Sequence, residues 1–143
     1  MTILKMKQID IHTFVTDQLA TWSVAADNFA ALADVREREV QVNGLTIKLQ
    51  FNPARMISSA AKLTKEDIAR RRCFLCEQNR PAVQNNIPLT TRSGHEYHIL
   101  VNPYPIFPDH LVVAMADHKE QAIAGRYDDM LELARGSEGY TFF

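Results

Sequence analysis

The chain is short of the devices that would announce a function. It holds two cysteines in 143 residues, too few for a disulfide framework, although a chain of this size buries a core without staples. Charge of neither sign dominates: 16 basic residues face 17 acidic ones, for a net charge of -1. That balance provides no global attraction to nucleic acid or to an anionic membrane, while leaving room for a local basic pocket. No apolar run approaches the roughly 20 residues of a membrane span. The N-terminal stretch MTILKMKQIDIHTF lacks the apolar segment and small-residue cleavage site of a secretory leader. Walker-type and Rossmann glycine motifs are absent, as are internal repeats. Ser58 and Ser59 have no Gly-x-Ser-x-Gly setting, so a serine nucleophile is not expected. The reading is one cytoplasmic domain, with neither nucleic acid nor membrane as a partner.

What is present starts with periodicity. Ile11, Phe14, Val15, Leu19, Trp22, Ala26, Phe29 and Leu32 recur at three- and four-residue steps, which predicts one amphipathic helix over residues 10–33. Residues 35–51 alternate about Asn43-Gly44, a strong hairpin signal because both turn positions need positive φ. Leu45, Ile47, Leu49 and Phe51 share one face of the second arm, so it should be a half-buried strand. FNPARMISSAAK reads as a loop, with Asn52-Pro53 breaking the strand. Thr64 and Asp67 make a weak capping box for a short helix. YHILV and LVVAM are apolar runs suited to core strands at 97–101 and 111–115. Residues 119–135 predict a helix with Ile123, Tyr127, Met130, Leu131 and Ala134 inward, ended by Gly136 and Gly139. YTFF, at 140–143, looks like the start of another strand. A strand left without a partner is an open edge, so either the polypeptide continues past Phe143 or the last strand docks and ends there.

Chemistry concentrates in CFLCEQNRP, residues 73–81. Cys73 and Cys76 have the spacing with which two thiolates share one zinc. The rival is a thioredoxin-like redox pair, which sits at the start of a helix in a βαβ unit; no helical run starts at Cys76. Two unliganded thiols are the plain alternative. Among the five histidines, His118 lies just past a strand end, where a loop can return it to the knuckle. His95 and His98 fall on opposite faces of a strand and are not expected to share a metal. Asn52 and Arg55 directly follow a strand end, and Arg80 follows the knuckle; arginine is the usual bidentate phosphate clamp. Arg70, Arg71 and Arg72 read as a solvated charge run.

CFLCEQN, followed by YHILVNPYPIFPDHLVVAMADH, resembles the N-terminal half of a histidine-triad (HIT) domain. The branch is that of galactose-1-phosphate uridylyltransferase and the dinucleoside-tetraphosphate and GDP-galactose phosphorylases, and uncharacterised bacterial relatives resemble it most. The likeness spans roughly residues 45–143. It implies an α+β fold in which an antiparallel HIT-like sheet with packed helices occupies residues 35–143, after an N-terminal helical extension at 1–34. It implies a structural zinc held by Cys73, Cys76 and His118, with Asn102 on the nucleotide and Arg55 near the phosphates. His110 falls in the family's Gly-His-x-Leu-Val segment, with Asp109 replacing the glycine, which should alter the turn. The family's His-x-His-x-Gln motif carries its fourth ligand and nucleophile. That motif does not occur in this sequence, so both are expected beyond Phe143.

The implied reaction is nucleotidyl transfer. A histidine attacks the α-phosphorus of a nucleotide sugar or dinucleotide, and the nucleotidyl-histidine is then discharged to a phosphate-bearing acceptor. The 143 residues alone should be inactive, and a homodimer is compatible with the resemblance. Two further readings stay open: a stand-alone zinc- or nucleotide-binding module without activity, and a CxxC thiol-redox protein.

Overall fold

The computed structural model describes residues 9–59 and 64–143, and for 57–59 the backbone alone. The question of side-chain roles for Ser58 and Ser59 therefore lies outside the described residues, as does the stretch before Ile9. The architecture is α+β. In chain order come α1 (Ile11–Thr21), α2 (Ser23–Ala30), a 3-10 turn (Ala31–Asp34), β1 (Arg36–Val42) and β2 (Leu45–Phe51). They are followed by α3 (Pro53–Ser59), α4 (Lys65–Arg70), β3 (Asn86–Thr90), β4 (Glu96–Val101), β5 (Leu111–Met115) and α5 (Tyr127–Gly136).

The core forms where α1 and α5 meet one face of the antiparallel sheet β3-β4-β5. Alternation along β4 turns Tyr97, Ile99 and Val101 to that face, where they join Leu89, Ile11, Val15 and Leu133. The register sets the layers: Ile99 lies opposite Val113 on β5 and Ile87 on β3, and Tyr97 lies opposite Met115 and Leu89. Thus two residues of the N-terminal segment, Ile11 and Val15, belong to the sheet's own core.

The expected single helix over 10–33 is two. At Trp22 the backbone is extended, φ -127 and ψ 92, and this residue ends α1 and caps α2. The break lets Trp22 and Ala25 bury on α2's side while Val15 stays on the sheet. Asp10 opens α1, its carboxylate accepting the Thr13 N–H at 3.0 Å. Thr64 and Asp67 form the full capping box of α4, with both reciprocal bonds present.

Asn43 and Gly44, at φ 50 and 79, make the two-residue turn of the β1-β2 hairpin, as their sequence requires. The expected half-burial of β2 does not occur: every residue of β2 is exposed. The hairpin is a separate two-stranded sheet. Its apolar side, Leu45, Ile47, Leu49 and Phe51, faces away from the core, the first being 69% exposed. Gln50, on the polar side, reaches the loop before β5 through Nε2 and the Ile106 carbonyl at 3.1 Å.

Three further expectations change. Residues 53–59 form α3 rather than loop: the Asn52 side chain accepts the Arg55 N–H at 3.2 Å, which caps a helix whose first residue is a preorganised proline. The last helix begins at Tyr127, not 119, because Gly125 takes φ 75 just before it. Its buried face carries Asp129 and Leu133, while Ile123 and Tyr127 are exposed. Finally, YTFF is not a strand; it has no ladder to join, and Phe142 docks on the core as irregular chain. Among the described residues, no helix is long and apolar enough to cross a membrane.

Candidate metal centre

The knuckle is a chain of short turns. Cys76 N–H donates to the Cys73 carbonyl at 3.2 Å, and Asn79 N–H to the Cys76 carbonyl at 2.9 Å. The Asn79 side chain adds a second bond to the Cys73 carbonyl, from Nδ2 at 2.9 Å. These bonds turn both cysteine side chains toward one side. β5 then delivers His118 from the other direction, just past Met115. His118 Nδ1 lies 3.2 Å from Cys76 Sγ. The donor atoms of Cys73, Cys76 and His118 all fall within 4.8 Å of one another, and among the described residues they are the group able to hold a metal ion.

Tetrahedral zinc sets the spacing that these donors have to meet. Bonds of ~2.3 Å to sulfur and ~2.0 Å to nitrogen put neighbouring ligand atoms about 3.6–3.8 Å apart. Cys76 Sγ and His118 Nδ1, 3.2 Å apart, fall about 0.4 Å short of that value, a shift open to the exposed His118 ring. Two soft thiolates with one imidazole suit zinc.

The sulfurs are electrostatically unequal. The Cys73 thiol is held below its ordinary value, chiefly by the Leu75 backbone N–H, with help from Cys76 and Arg71. Burial pushes the Cys76 thiol up, partly offset by the Arg80 guanidinium. Arg80 Nη2 sits 3.1 Å from His98 Nδ1, and among the described residues its Nε and Nη1 are buried without hydrogen-bond partners. A cation with unspent donors beside the knuckle favours its thiolate state.

Of the four residues expected to contact substrate, three converge elsewhere. Asn52, Arg55 and Asn102 all hold the proline-rich loop at 102–110. Asn52 Nδ2 donates to the Pro105 carbonyl at 3.4 Å, and Arg55 Nη1 to the Tyr104 carbonyl at 2.8 Å. Asn102 Oδ1 accepts the Tyr104 N–H at 2.9 Å. His110 closes the loop, Nδ1 accepting the Ile106 N–H at 3.0 Å. Burial, with the Arg55 charge, lowers the pKa of His110. Asp109 adopts φ 53, so aspartate takes up the left-handed conformation a glycine would favour. Arg80 is not in this group; it belongs to the knuckle.

The two groups occupy opposite ends of β4-β5. Val101 faces Leu111 at the loop end and Tyr97 faces Met115 at the knuckle end, a separation of about 13 Å along the strand. A metal at the knuckle would lie at the end of the strand pair opposite the 102–110 loop.

One polar cluster has no counterpart in the motifs. Asp129, 2% exposed, accepts from the Tyr97 hydroxyl at 2.6 Å and from His95 Nδ1 at 2.7 Å. No local pattern joins residues 34 positions apart. Gln18, by contrast, was findable: it falls between Val15 and Trp22 on the apolar stripe, where a polar residue must find partners.

Comparison with protein families places residues 14–143 in the Domain of unknown function (DUF4922), and the chain belongs to that family. No curated protein and no solved structure matches it.

Proposed function

We propose that this chain is the zinc-clasped, nucleotide-binding part of a nucleotidyltransferase or nucleotide phosphorylase of the histidine-triad kind. One observation carries the reading. Cys73 and Cys76 meet His118, 42 residues beyond Cys76, in the arrangement that the CFLC…ADH likeness requires.

Bound zinc supplies a rigid tie between the knuckle and the end of β5. The chain's own residues do the binding. Arg55 presents a permanent positive charge beside Asn52, Asn102 and a neutral His110, a combination suited to phosphoryl oxygens and an adjoining ribose or base. Histidine suits the transfer step because neutral imidazole is nucleophilic near neutral pH. No catalytic residue is assigned within the 143 residues.

Calorimetric titration of the zinc-loaded chain with ADP, GDP and UDP tests the binding half. The expectation is saturable binding of at least one, weakened about tenfold in Arg55→Ala, the equivalent of about 1.4 kcal/mol. Absence of binding by all three, or an Arg55→Ala chain that binds equally well, contradicts it.

A further inference from the structure

The turn that presents two sulfurs to one metal also presents them to each other. The Cys76 N–H bond to the Cys73 carbonyl, 3.2 Å, closes a four-residue turn, which holds its end Cα atoms under about 7 Å. A disulfide spans Cα atoms ~4.4–6.8 Å apart. Both cysteines are free and only half buried, so the pair is reachable from solvent. Among the described residues three donors converge, and the His118 ring is exposed to solvent. The same two sulfurs cannot serve a metal and a disulfide together.

We propose that Cys73 and Cys76 are an oxidation site for peroxides, and that the disulfide they form expels the metal. The knuckle is thereby a clasp that opens on oxidation; this rests on the metal reading above. In the first step the Cys73 thiolate attacks one peroxide oxygen. An S–O bond forms and the O–O bond breaks. The leaving oxygen takes a proton and departs as water, and Cys73 becomes a sulfenic acid. In the second step the Cys76 sulfur attacks Cys73 Sγ and its proton goes to the departing oxygen; in the metal-loaded chain, where Cys76 is a thiolate, that proton comes from solvent as the metal leaves. The S–S bond forms, the S–O bond breaks, and hydroxide leaves with a proton as a second water. Two thiols lose two electrons and one peroxide gains them.

The test uses the whole chain, reduced, with and without one equivalent of zinc, exposed to hydrogen peroxide. Intact mass after alkylation reports the thiols, and a chromophoric chelator reports zinc. The expected result has three parts. Both alkylatable thiols are lost with the mass of two hydrogens, one zinc is released per disulfide, and dithiothreitol restores metal binding. In Cys76→Ser, Cys73 should stop at a sulfenic acid that a dimedone probe labels. Oxidation straight to sulfinic or sulfonic acid without a disulfide overturns the proposal. So does zinc retained on the oxidised chain. A disulfide forming in a chain that never binds zinc overturns the metal reading itself, leaving a plain thiol pair.

Discussion

Gln18, wholly buried on α1, bridges two backbone groups of the segment leading from the knuckle to β3. Its Nε2 donates to the Val83 carbonyl at 2.8 Å and its Oε1 accepts the Asn85 N–H at 2.6 Å. The helix and the knuckle segment are thus joined by one side chain. Replacing it with leucine keeps the volume and removes both bonds. Gln18→Leu should cost about 1–3 kcal/mol of stability, read from a shift in the denaturant midpoint. An unchanged midpoint would show that the bridge contributes nothing.

Tyr97 and Asp129 form the second buried polar contact. Burial works against the Asp129 charge, yet hydrogen bonds led by that of the Tyr97 hydroxyl hold its carboxyl below the ordinary value. Burial, with the same contact, pushes the Tyr97 hydroxyl well up. The sign follows: an acid with a depressed folded pKa stabilises the fold fully above its unfolded value of 3.8. That contribution is lost as pH falls through the folded pKa. Asp129→Asn should destabilise by about 2 kcal/mol near neutrality and flatten the acid limb of stability. Midpoints measured from about pH 6 to about pH 2 check it; parallel profiles for the two chains would refute the assignment.

The core and the hairpin should respond differently to truncation. Ile99 is fully buried and Leu45 is 69% exposed. Ile99→Ala should cost about 2–5 kcal/mol, whereas Leu45→Ala should stay within about 0.5 kcal/mol. A large loss at Leu45 in thermal or chemical unfolding would mean that the hairpin's apolar side is covered in solution.

His110 accepts the Ile106 N–H through Nδ1, so the folded loop needs that nitrogen unprotonated. Burial lowers its pKa from 6.5. Its contribution to stability is complete above that value and lost as pH falls through the folded pKa. An NMR titration should place its midpoint below 6.5, with the Ile106 amide shifting in step. A midpoint at or above the ordinary value would contradict the geometry.

These residues also show what was legible in advance. Asn43-Gly44, the Thr64–Asp67 box and the apolar runs of β4 and β5 are local signals, and each forms the expected element. The CxxC knuckle with His118 was legible because two sulfurs at that spacing need a partner, and a strand end was there to supply it. What depended on tertiary structure was not. β3 contains Pro88 and was not anticipated, yet an edge strand tolerates a residue without an N–H, and pairing with β4 defines it. The inward turn of Asp129 depends on Tyr97 and His95 on a distant strand and turn. Asn52-Pro53 was misread as a stop alone, although the same pair caps and opens α3.

The metal is the claim on which the rest depends. Elemental analysis of the purified chain, with cobalt substituted for zinc to reveal sulfur-to-metal charge transfer, measures it directly. One zinc per chain and a cobalt spectrum with thiolate bands are expected, with loss of both in Cys73→Ser and Cys76→Ser and weakened binding in His118→Ala. Metal content in the unaltered chain no higher than in the two serine variants would contradict it.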